Sequence, residues 1–113
     1  MKKFEIVKEN KDFDDIIKTG KYIKSKYYNI YYKDNGLSFP KFGIAVSKKF
    51  GNAVERNRAK RQVRSLVDQY KNRFSKSHNY IIMIRRGVKE VSYSEMEQDF
   101  VSLLEKGLFN EKV

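Results

Sequence analysis

The stretch Ser47-Lys48-Lys49-Phe50-Gly51-Asn52-Ala53-Val54-Glu55-Arg56-Asn57-Arg58-Ala59-Lys60-Arg61-Gln62-Val63-Arg64 decides how the rest of the chain is read. From Lys48 to Arg64 it carries seven Lys or Arg against one acid, Glu55, a local balance of +6 in a chain of net charge +11. Asn52 stands where a helix N-cap belongs, and Glu55 follows three residues later. That is the spacing of a capping box, in which each side chain satisfies a backbone N–H that a helix start leaves unpaired. A helix over residues 53–70 is therefore predicted. At 3.6 residues per turn, Ala59, Val63, Leu66, Val67 and Tyr70 share one stripe. Arg56, Lys60 and Arg64 run along its edge, Asn57 and Arg61 form the next row outward, and Arg58 points away from that edge. Like charges four residues apart destabilise an isolated helix, so such a row is predicted to meet a polyanion. A merely solvated basic face is the alternative. The pattern points to a phosphate backbone without saying which nucleic acid.

Upstream, Lys26 to Lys33 alternates like a strand, with Tyr28, Ile30 and Tyr32 on one face and Tyr27, Asn29 and Tyr31 on the other. Asp34-Asn35-Gly36 is a turn signal and predicts a hairpin with a strand beginning at Pro40. In that strand Phe42, Ile44 and Val46 oppose Gly43, Ala45 and Ser47. Tall aromatics beside small residues make a groove, and aromatic walls with nearby lysines suit single-stranded nucleic acid, where bases stack and cations follow phosphates. The competing reading is that tyrosine is simply a good strand former. Lys21 to Lys24 reads as a short strand. A first helix over 11–19 is predicted to be capped by Asn10, to carry Phe13, Ile16 and Ile17 on its apolar side and to stop at Gly20. Residues 1–9 read as an extended arm.

Downstream, residues 71–79 read as a basic loop. His78, the only histidine, has no partner at useful spacing and reads as a loop residue, not a ligand or general base. Tyr80 to Arg86 reads as a central strand, apolar on both faces. Ser92 and Glu95 form a second capping box, followed by Met96, Phe100, Leu103 and Leu104 at helical spacing. A third helix over 93–106 is predicted, stopped by Gly107. The fold class is α/β: an α+β sandwich in the order α-β-β-β-α-β-α.

With 113 residues the chain is expected to form one domain. Charged residues are 35% and apolar residues 40%, suiting a folded, highly charged protein. The pI near 9.8 marks a nucleic-acid footprint; an anionic membrane surface competes, but the apolar stripe of the basic helix is needed for the core. There is no cysteine, hence no thiolate chemistry. No apolar run approaches a bilayer span, and the first residues lack a signal-peptide stretch, so the expected address is the cytoplasm and no membrane partner is expected. Residues 1–47 carry +4, 48–64 carry +6, 65–86 carry +4 and 87–113 carry −3. The acidic end is expected to face away from the anionic partner.

The run Ser47-Lys48-Lys49, Gly51-Asn52-Ala53-Val54, Arg56-Asn57-Arg58 and Lys60-Arg61 resembles the signature of the bacterial ribonuclease P protein subunit, centred on Arg-Asn-Arg. Asn10-Lys11-Asp12-Phe13 fits that family's first helix and Tyr80-Ile81-Ile82-Met83-Ile84-Arg85 its late strand, so the likeness spans nearly the whole chain. It implies a fold similar to a small-subunit ribosomal protein and to domain IV of elongation factor G. The family's crossover is left-handed, whereas about 98% of parallel crossovers are right-handed. The resemblance also implies a partner, the catalytic ribonuclease P RNA, and a substrate, precursor tRNA, whose 5′ leader is removed with magnesium ions held mainly by the RNA. No catalytic residue and no metal ligand is expected of the protein. For the RNA subunit it implies Lys48, Lys49, Asn52, Arg56, Asn57, Arg58, Lys60, Arg61 and Arg64. For a cleft holding the single-stranded leader it implies Phe13, Ile17, Asn29 and Tyr31, with Ser47 and Lys48 at the rim. Position 17 is often aromatic in the family; Ile17 implies apolar contact there, not stacking. The alternatives are a ribosome-associated or general RNA-binding protein on the same fold and, from a different class, a nuclease with its own active site.

Overall fold

The computed structural model describes residues 6–7 and 9–106. Its elements are α1 (Asn10–Thr19), β1 (Lys21–Lys24), β2 (Tyr28–Asp34), β3 (Lys41–Val46), α2 (Ala53–Tyr70), β4 (His78–Ile84) and α3 (Tyr93–Lys106). The sheet order is β1-β2-β4-β3. β4 is antiparallel to β2 and parallel to β3, so β3–α2–β4 is a crossover unit. The α/β arrangement read from the sequence is the one observed.

The expected β2–β3 hairpin is not. The turn at residues 34–36 forms, with Gly36 at φ +70°, but β4 inserts between the two strands. Asn35 anchors the turn to the start of β4: its N–H reaches Ser77 O at 2.9 Å and its amide reaches Asn79 Oδ1 at 2.9 Å. β4 is apolar on both faces, and an interior position lets both be buried. A local turn signal says nothing about a third strand arriving from 44 residues away. The hairpin that does form is β1–β2.

One face of the sheet presents Tyr28, Ile30, Tyr32, Phe42, Tyr80, Ile82 and Ile84 to Val63, Leu66 and Val67 of α2 and Met96, Phe100, Leu103 and Leu104 of α3. The Tyr28 hydroxyl donates to Met96 O, and burial raises its pKa above the ordinary tyrosine value. α3 is pinned at its acidic side chains: Asp99 accepts from the Ser25 hydroxyl and Glu97 from the Tyr70 hydroxyl. The Ser92 hydroxyl accepts the Glu95 N–H at 3.2 Å, one of the two bonds of a capping box. Gly107 lies outside the described residues.

α1 packs on the opposite face, with Ile16 and Ile81 buried beside Val7, and Phe13, Ile17 and Tyr31 half-buried around them. Its N-cap is Glu9, not Asn10, and no side chain caps it. Asn10 instead forms the first helical residue. Of the N-terminal arm, Ile6 bridges to Phe42 and the Val7 N–H bonds Phe42 O; residues 1–5 and 8 lie outside the described residues. At the α1–β1 corner a Cβ on Gly20 would stand 2.6 Å from the carbonyl oxygens of Ile16 and Tyr32, so only glycine fits.

Gly43 sets how closely α1 approaches. A Cβ there would lie 2.5 Å from Phe13 Cζ and 2.8 Å from Ile81 Cδ1. Gly43→Ala is expected to destabilise the protein by about 1–3 kcal/mol through overpacking, measured by urea denaturation. An unchanged midpoint would mean that Phe13 is not held against the sheet.

Candidate nucleic-acid interface

Cross-strand register sorts the second face into rows. Tyr22, Tyr31, Ile81 and Gly43 align across the four strands, and α1 covers the Gly43 end of that row. Lys24, Asn29, Met83 and Ala45 form the next row. There Asn29, Met83 and Ala45 are only half-buried. This row, on the sheet face that also carries Phe13, Ile17 and Tyr31, is left partly open to solvent. Beyond Ala45 the chain reaches Ser47 and Lys48. The Ser47 oxygen accepts the Lys49 N–H at 3.0 Å, folding residues 48–50 into a single 3-10 turn that presents Lys48 and Lys49 to solvent. Phe13, Ile17, Asn29, Tyr31, Ser47 and Lys48 are thus brought to one face and its rim.

Tyr27 does not join them. β2 begins only at Tyr28, and the Tyr27 N–H is drawn to the Ser25–Asp99 cluster while its carbonyl accepts from Arg85. Strand alternation fails at this corner, and the ring is buried in the main core. His78 also departs from the sequence reading: it is the first residue of β4, and its Nε2 lies 2.9 Å from Asp34 Oδ1.

Asn29 Oδ1 is buried without a hydrogen-bond partner. An unsatisfied buried carbonyl costs about 1–3 kcal/mol, and valine suits a strand better than asparagine. Asn29→Val is therefore expected to raise stability by about 1 kcal/mol or more in urea denaturation. A less stable variant would show that this amide is satisfied in solution.

The basic helix starts as its sequence dictates. Asn52 Oδ1 accepts the Glu55 N–H and Glu55 Oε1 accepts the Asn52 N–H, each at 2.9 Å. The N–H from Asn52 holds the Glu55 carboxyl below the ordinary glutamate range, aided by Lys89 at 3.6 Å. Because folding lowers this pKa, the contribution is complete above the ordinary value and is lost as pH falls through the lowered one. Arg56 turns inward, donating from Nη1 to Gly51 O at 2.8 Å, and so braces the entry to the helix. Asn57, Arg58, Arg61 and Arg64 are exposed and Lys60 is half-buried. Arg58 lies on the other flank, in a hollow shared with Phe50, Gln62, Val88 and Lys89. Among the described residues none of Arg58, Lys60, Arg61 and Arg64 is paired with a carboxylate. Arg56 is tied to the backbone at Gly51, whereas within the described residues these four cations are not tied up in ion pairs that hold the fold together.

Two cations near the site were missed from sequence. Lys89 belongs to a short 3-10 segment after β4 that packs beside the start of α2, and no local pattern announces that contact. Lys24 shares the row of Asn29 through the β1–β2 register, which the alternation of Lys21 to Lys24 against Tyr28 to Asp34 could have revealed. Among the described residues no three of His, Asp and Glu come together in a way that could hold a metal ion. No helix there is long and apolar enough to cross a membrane.

Fold and site together define a small, strongly basic α/β protein in which one continuous segment joins a half-open sheet face carrying Phe13 and Tyr31 to a cationic helix. The ribonuclease P family model matches residues 1–107. The ribonuclease P protein component of Mycoplasma mycoides is 39% identical over 107 residues, covering 94% of this chain and 98% of that one. Its counterpart in Streptococcus pyogenes is 36% identical over 118 residues, covering 99% and 98%. The Staphylococcus aureus RNase P protein superposes with a TM-score of 0.86 at 27% identity over 95% of this chain and 98% of that one. The Thermotoga maritima RNase P protein gives 0.82 at 27% over 91% and 97%. The chain belongs to the ribonuclease P protein family, the protein subunit of the endoribonuclease ribonuclease P.

Proposed function

We propose that the protein binds the catalytic RNA subunit through α2 and its entry turn, and grips the 5′ leader of precursor tRNA in the cleft between α1 and the sheet. The observation that carries this reading is the row of unpaired cations on α2, joined through Lys48 and Ser47 to a half-open apolar face. Lys60, Arg61 and Arg64, with Lys48 and Lys49 at the entrance, meet RNA phosphates and release counterions. Arg56 and Asn52 act by setting the helix start. Tyr31 and Phe13 offer ring surface to unpaired bases, Ile17 an apolar contact, and Asn29 a polar group on the floor. The cleavage chemistry belongs to the RNA, with magnesium held mainly there. The protein contributes affinity and positioning. The complex works in the cytoplasm.

A precursor differs from its mature product by the leader, so this arrangement should favour one over the other. The test compares the affinities of RNA alone and of reconstituted holoenzyme for a precursor and for the matching mature tRNA. The protein is expected to tighten precursor binding selectively. Equal tightening of both would place the leader elsewhere. A general RNA-binding role on the same fold would instead show the protein binding unrelated structured RNAs as tightly as ribonuclease P RNA.

A further inference from the structure

We infer that Tyr22, with Lys24 beside it, forms a second base-stacking subsite on the β1 edge, taking an unpaired nucleobase of the leader next to the one held at Tyr31. The inference rests on the leader-cleft reading and extends it to residues outside the cleft described above. Tyr22 is 56% exposed and is the one aromatic among the exposed large apolar side chains of the described residues. Register places it directly opposite Tyr31 on the same face. The two ring centroids are 5.6 Å apart and tilted by 36°. Tyr31 is half-buried on the α1 side of the sheet, so Tyr22 continues its aromatic surface outward to the β1 edge. Two residues on, Lys24 projects from the same face and is exposed, in register with Asn29.

Bracing of the β1–β2 hairpin explains a cross-strand tyrosine pair. It does not explain why Tyr22 is left more than half exposed with a cation alongside. A stacking platform does: every base has a π-face, and a nearby lysine follows the phosphate between two stacked nucleotides. The position also answers the departure at Ile17. With no ring there, the cleft keeps Phe13 and Tyr31, and Tyr22 supplies a further ring on the other side of Tyr31.

The test uses holoenzyme reconstituted with a bacterial ribonuclease P RNA, and precursors of one tRNA with leaders lengthened one nucleotide at a time. Tyr22→Leu keeps apolar cover on the hairpin and removes the ring; Tyr22→Phe keeps the ring. Tyr22→Leu is expected to weaken binding about tenfold, only for leaders long enough to pass Tyr31. An abasic nucleotide at that step should erase the difference. Tyr22→Phe should bind within about twofold of the parent. Tyr22→Leu binding like the parent at every length, or losing the same factor without a leader, would overturn the subsite. Tyr31→Ala run in parallel separates the two levels. If it reduces leader dependence while Tyr22→Leu does not, the second subsite alone falls. If neither variant changes leader dependence, the cleft reading falls and the subsite with it.

Discussion

Tyr31→Ala in the reconstituted holoenzyme is expected to weaken precursor tRNA binding by about tenfold or more while leaving mature tRNA within about twofold. The magnitude follows from losing one base–aromatic stack, roughly 1–3 kcal/mol, and 1.4 kcal/mol corresponds to a factor of ten. The selectivity follows from position. Tyr31 stands between α1 and the open row of Asn29, Met83 and Ala45, away from the α2 cations. The ring is partly buried, so its removal also opens space beside the cluster of Val7, Ile16 and Ile81. Urea denaturation of the variant separates the two effects: a fold defect would weaken both ligands, whereas a stacking defect weakens only the one with a leader. Equal losses for the two RNAs in a stably folded variant would remove the leader from this face.

Replacing Lys60, Arg61 and Arg64 together by alanine is expected to have the larger effect on holoenzyme assembly. Each phosphate contact adds about one unit to the dependence of log K on log salt. Losing three should flatten the slope by about three and weaken RNA-subunit binding by roughly two to three orders of magnitude near 0.1 M salt. The free protein should not suffer. These cations have no carboxylate partners among the described residues, and removing mutual repulsion along one helix face is neutral to stabilising. An unchanged salt slope would move the RNA to another surface. Arg58, on the opposite flank of α2, is a separate probe: Arg58→Ala should lower holoenzyme activity at low magnesium, with high magnesium restoring part of it. No restoration would argue against charge compensation there.

What was legible in the sequence follows from the range of the signals. The helix over residues 53–70 and its capping box stand as read, because the N-cap, the N3 glutamate and the apolar stripe all lie within one segment. The central place of β4 was readable from its two apolar faces. Its neighbours were not: Asp34-Asn35-Gly36 turns the chain, but β4 takes the slot a hairpin partner would have filled. Tyr27 was misplaced because alternation holds only inside a strand, and with the ties of Ser25 and Asp99 β2 starts at Tyr28, two residues after Lys26. Glu9 displaces Asn10 as the α1 cap, a shift of one residue that leaves the helix intact. The pattern set Tyr31 directly beside Gly43 and Ala45, but β4 puts Ile81 and Met83 between them. The close packing of Phe13 over Gly43, the orphaned carbonyl of Asn29 and the outward Tyr22 needed the packed structure.

The most direct test of the central claim is reconstitution of cleavage. Purified protein, a bacterial ribonuclease P RNA and precursor tRNA are combined at low magnesium, each component also being omitted in turn, and the 5′ product is mapped. The expected result is cleavage at the mature 5′ end that requires both protein and RNA, with protein alone inert. Protein that cleaves without the RNA, or RNA that gains nothing from the protein under these conditions, would contradict the account.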